Sequence, residues 1–123
     1  MVSTSRAKKI AQRIQEELAE LVQKEAADPG LSMVTVTDVE VDRELAYATI
    51  YVSSLDADER QDEVLRALRR ARGYLRSALA ARISLRTFPK LRFRWDNSPA
   101  RGARIEELLH EIHRREDSAE GEG

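Results

Sequence analysis

The chain has 123 residues, of which 41% are hydrophobic, enough to build the core of one domain and too few for two. It has no cysteine, which excludes a disulfide framework and a thiolate metal site, and no apolar run approaches the roughly 18 residues of a membrane span. The net charge is only −1, but twelve of the 21 basic residues lie between Val64 and Arg104 against the single acid Asp96, so this segment carries +11 and the remainder is acidic. Segregation of this kind raises self-repulsion, and it is the usual electrostatic footprint of a polyanion-binding surface. A solvated arginine-rich helix paired with the acidic segments would show the same composition.

From Arg6 to Ala26 the apolar residues Ile10, Ile14, Leu18, Leu21 and Val22 recur at helical spacing, with Lys9, Arg13, Glu16, Glu20 and Lys24 outside the stripe. The start, Ser3 to Arg13, has the serine and arginine of an organelle transit peptide, but Glu16, Glu17 and Glu20 continue the same pattern and speak against that reading. A soluble, cytoplasmic protein is expected. Asp28-Pro29-Gly30 ends the helix, because proline forces its predecessor out of the helical region and glycine tolerates the turn that follows.

Met33 to Val41, the polar Asp42-Arg43-Glu44 and Leu45 to Val52 read as a β-hairpin. In the second strand Ala46, Ala48, Ile50 and Val52 share one face, and Leu45, Tyr47, Thr49 and Tyr51 the other. The first strand changes phase, with Val34 and Val36 on even positions and Val39 and Val41 on odd ones. This predicts a bulge near Thr37-Asp38, or a twist that buries parts of both faces.

A second helix is expected from about Glu59, capped by Asp56 or Asp58, with Val64, Leu68, Ala71 and Leu75 inward and Arg66, Arg69, Arg70 and Gly73 outward. Glycine inside a helix costs about 1 kcal/mol relative to alanine, so Gly73 marks a kink, a helix junction or a close approach by another backbone. The pattern resumes with Leu75, Leu79 and Ile83, flanked by Arg76, Arg82 and Arg86. Phe88-Pro89 breaks the chain, and Leu91-Arg92-Phe93-Arg94-Trp95 alternates as a strand with one buried face and one exposed cationic face. Asn97-Ser98-Pro99 signals the start of a last helix with the stripe Ile105, Leu108, Leu109 and Ile112. Residues 1–115 are thus expected to form the domain, and 116–123 a disordered acidic tail.

The order helix, strand, strand, helix, kink, helix, strand, helix resembles the type II KH domain, an α+β module with a three-stranded sheet covered by helices. Its helix pair normally holds a GXXG loop that grips the nucleic-acid backbone. No GXXG occurs here; Ala71-Arg72-Gly73 stands in its place. With Asp28-Pro29, Val34 to Val39, Ala46-Tyr47-Ala48, Tyr51-Val52-Ser53, Ala71 to Arg76, Arg86-Thr87, Pro89, Leu91-Arg92-Phe93, Asp96, Ser98 and Gly102 to Leu109, the chain resembles the ribosome-binding factor A family over residues 6 to 113. Trp95 departs from that pattern. The resemblance implies a monomeric, non-enzymatic assembly factor without a cofactor, whose partners are the small (30S) ribosomal subunit and 16S rRNA, acting in late rRNA processing and ribosome biogenesis.

On that reading the RNA-binding candidates are Arg69, Ala71, Arg72, Gly73, Arg76, Arg82, Arg86, Lys90, Arg92, Arg94, Arg101 and Arg104. Any of Arg76, Arg82 and Arg86 could instead pair with Glu106, Glu107 or Glu111. Tyr74, Phe88, Phe93 and Trp95 read as at least partly core, which argues against a base-stacking platform. The alternatives are a generic KH-like RNA-binding module and an adaptor for an acidic protein partner. His110 and His113, with Glu106 one turn earlier, have metal-ligand spacing, but without a second cluster they read better as a solvated helix end.

Overall fold

The computed structural model describes residues 1–25, 28–54 and 60–97. Helix α1 (Thr4–Lys24) is capped by Ser3, whose Oγ accepts the Arg6 N–H at 3.0 Å. Strands β1 (Val34–Val41) and β2 (Tyr47–Ser54) form an antiparallel hairpin, helix α2 (Gln61–Arg82) follows, and β3 (Lys90–Trp95) adds to β2 in parallel. The sheet order is β1-β2-β3, so β3 is an edge strand. This is the α+β, type II KH-like arrangement that the sequence pointed to. The Asp56 or Asp58 cap, the last helix after Pro99 and the tail 116–123 lie outside the described residues.

α1 lies over β1 and α2 over β3, and the two helices meet. The α1 stripe from Ile10 to Val22 packs with Ala48, Ile50 and Val52 of β2, Val64, Leu68, Leu75 and Leu79 of α2, and Leu91, Phe93 and Trp95 of β3. The odd residues of β3 are buried and the even ones exposed, as its alternation required.

The phase change in β1 is a bulge: Val36 pairs with Val52 and Asp38 with Tyr51, leaving Thr37 as the extra residue. Thr37 is buried, and its hydroxyl donates to the carboxylate of Asp96, also buried, just beyond β3. One added residue therefore fastens the first strand to the end of the last.

Several local expectations are corrected. β2 begins at Tyr47, not Leu45, because the Asp42 carboxylate accepts the Tyr47 N–H at 2.9 Å and Leu45 turns the chain with φ 57°. Gly30 has no positive φ, so the turn after Pro29 does not draw on glycine's backbone freedom. A Cβ there would sit 2.5 Å from that of Ala67, so glycine lets the short 3₁₀ turn Pro29–Leu31 press against α2.

Helix α2 begins at Gln61, with Arg60 at the cap position making no side-chain capping bond. The Arg60 guanidinium donates instead to the Ser32 and Pro29 carbonyls, tying the turn to the helix start. Where two helical halves were expected, α2 runs unbroken through Ala71-Arg72-Gly73 for 22 residues. Gly73 is solvent-exposed and a Cβ there meets nothing within 4 Å, so among the described residues no neighbouring backbone approaches it.

Candidate nucleic-acid interface

Residues 61, 65, 69, 72 and 76 fall along one side of α2 at spacings of three and four, and this side faces the edge strand β3. Between them runs an open groove of about 940 Å³. Arg69, Arg72 and Arg76 line it from the helix and Lys90, Arg92 and Arg94 from the strand. No carboxylate lines it among the described residues. Six cations around a concave surface without a counter-charge focus positive potential into it, which attracts polyanions over distance.

The six are held differently. Arg69 and Arg72 are exposed, and Arg72 leans over the buried Phe93, its guanidinium carbon 6.0 Å from the ring centre. Arg92 lies over Tyr47, its guanidinium carbon 3.5 Å from that ring centre. Arg76 is half-buried and donates to two main-chain carbonyls, from Nε to Pro89 at 3.1 Å and from Nη2 to Phe88. Its first role is to anchor the turn that leads into β3, so its place in the groove wall comes from structure as much as from charge.

The other candidates separate from this group. Arg82 turns toward α1, with Nη1 2.9 Å from Glu17 and 3.7 Å from Glu20. Its partners are therefore on the first helix. The Glu20 carboxyl is held below its usual pKa, first by its hydrogen bond and attraction to Lys24 and then by Arg82. Arg86 is exposed and does not line the groove. Ala71 is half-buried and packs against the core, so it is a spacer under the cationic face. Arg101 and Arg104 lie outside the described residues, as do Glu106, Glu107, Glu111, His110 and His113. Among the described residues no group of three or more histidine, aspartate or glutamate side chains is placed to hold a metal, and no helix is long and apolar enough to cross a membrane.

Two aromatic expectations need revision. Tyr74 is 57% exposed and points away from the core. Tyr47 and Tyr51, which belong to the hairpin and lie outside the basic segment, line the groove beside β3. The alternation of β2 placed them on the face opposite Ala48, Ile50 and Val52. Only the parallel pairing of β2 with β3 sets them beside the arginines.

A family model described as ribosome-binding factor A matches residues 6–109. The chain belongs to the ribosome-binding factor A family. A ribosome-binding factor A from Chromohalobacter salexigens is 49% identical over 108 residues, which cover 86% of this chain and 82% of the relative. The crystal structure of ribosome-binding factor A from Thermus thermophilus superimposes with a TM-score of 0.63 at 32% identity, covering 72% of this chain and 93% of that one. A homology model of the Thermus thermophilus factor, fitted into the cryo-EM map of a 30S complex with it, has a TM-score of 0.59 at 35% identity with the same coverage.

Within the ribosome-binding factor A fold, Gly73 contributes nothing to packing that alanine would lose. Replacing it with alanine is expected to raise stability by about 0.5–1 kcal/mol, because the site is an exposed helix interior with open space around it. Gly73→Val should be nearly neutral, since valine also exceeds glycine in helix propensity. A thermal melt of the three proteins checks this. A fall in midpoint for Gly73→Ala would show that α2 needs glycine there for a bend.

Proposed function

We propose that this protein is a non-enzymatic assembly factor that binds the free small (30S) ribosomal subunit and contacts 16S rRNA through the α2–β3 groove. It supports late maturation of that RNA and leaves before translation begins. The observation that carries this reading is the groove itself: six cations and, among the described residues, no carboxylate, on a fold whose relatives include one fitted into a 30S complex. A groove without a GXXG loop favours recognition led by phosphate and shape over readout of bases.

The test is sedimentation of the full chain through a sucrose gradient with small subunits, large subunits and translating ribosomes in parallel. The protein is expected to travel with free small subunits and to be absent from the other two. If all six groove cations meet phosphates, the logarithm of the association constant should fall against the logarithm of salt concentration with a slope of about −4 to −5. Failure to sediment with small subunits at any salt concentration would remove the proposal.

A further inference from the structure

The outer face of the sheet is ordered by charge. Pairing across the strands sets Asp38, Tyr51 and Arg94 in one row and Glu40, Thr49 and Arg92 in the next, followed by Tyr47 beside Lys90. The acids therefore lie along β1, the aromatic rings along β2 and the cations along the β3 edge. Lys90, Arg92 and Arg94 are all exposed, and none forms an ion pair with a described carboxylate.

A solvated arginine gains little by holding its guanidinium carbon 3.5 Å above the ring of a tyrosine that is itself 37% exposed, unless the contact itself is favourable. Once stacked, the guanidinium keeps its outer face open to another planar group and its in-plane N–H edges open to an anion. A nucleotide supplies both. An acidic peptide supplies the anion without the ring. Lys90, Arg92 and Arg94 attract phosphate to the β3 edge. Phosphates are thereby held there with their bases turned inward over β2.

We propose that the outer face of β2 and β3 holds an unpaired nucleotide of single-stranded RNA, its base stacked on the Arg92–Tyr47 pair and its flanking phosphates on Lys90 and Arg94. This deepens the ribosomal-RNA reading and rests on it. It adds a base-dependent element to a groove otherwise suited to phosphate and shape.

The experiment is fluorescence anisotropy of the full chain with a labelled single-stranded oligoadenylate and with an abasic ribose-phosphate strand carrying the same number of phosphates. The wild type is expected to bind the base-bearing strand about tenfold more tightly, within the range measured for one stacked base. Tyr47→Leu should abolish that preference, weakening the base-bearing strand about tenfold more than the abasic one. Tyr47→Phe, which keeps the ring, should behave as wild type and shows that the strand tolerates substitution. Arg92→Lys keeps the charge without the plane and should lose most of the preference. Equal wild-type affinity for the two strands, or an equal loss for both in Tyr47→Leu, overturns the stacking site. If stacking fails while the protein still travels with small subunits, only this inference falls; if neither strand nor subunit is bound, the functional reading falls with it.

Discussion

Replacing Arg69 and Arg72 together with glutamate is expected to lower affinity for small ribosomal subunits at least about tenfold while leaving the domain folded, because reversing two phosphate contacts removes counterion release and adds repulsion. Both side chains are exposed on α2, and neither forms an ion pair with a described residue. Glutamate is about as good a helix former as arginine, so the helix should be retained. The groove would exchange two of its six cations for carboxylates. The salt slope should shrink in magnitude by about 1.5, the signature of two lost phosphate contacts. Sedimentation at several salt concentrations, with circular dichroism as the folding control, reads both quantities. Unchanged binding with an intact spectrum would move the interface away from this groove.

Arg76→Ala is expected to act on stability before it acts on binding. Its guanidinium holds the carbonyls of Phe88 and Pro89, and Pro89 is fully buried, so the loss leaves main-chain acceptors without their donor where the chain enters β3. Two hydrogen bonds from a charged donor at a half-buried site amount to about 2–3 kcal/mol. For a domain of this size that lowers the melting midpoint by about 10 °C. Arg76→Lys should recover little, since an ammonium on a flexible stem cannot span both carbonyls as the planar fork does. A midpoint within a degree of wild type for Arg76→Ala would show that the turn is held by packing alone. Arg72 and Arg76, only four residues apart, therefore have different consequences, and a combined charge reversal at both would confuse lost binding with lost folding.

The elements themselves were legible because periodicity is a local signal. The stripe of Ile10, Ile14, Leu18 and Leu21 allowed only a helix, and the shift from even to odd valines in β1 located the Thr37 bulge, since one inserted residue turns all later side chains to the other face. Alternation in β3 separated Phe93 from Arg92 and Arg94. Gly73 misled for the same reason: a local cost in helix propensity suggested a break, but the packing of Leu68, Leu75 and Leu79 on the sheet outweighs about 1 kcal/mol and the helix continues.

By itself the sequence determined that this protein has one α+β core, a bulged hairpin and a cationic segment spread over helix and strand. Each follows from neighbours within a few residues of one another. Only the tertiary structure decided which cations act together. Arginines on an exposed face carry no mark of their partners, because charge tolerates water and so leaves no burial pattern to read. Arg82 is drawn to Glu17 across the helix pair, Arg76 is taken by two carbonyls, and Arg92 finds Tyr47, a residue from a distant hairpin, through the parallel pairing of β2 with β3. Those contacts join residues far apart in the chain, and their geometry exists only once the hydrophobic faces have docked and set the register between the strands.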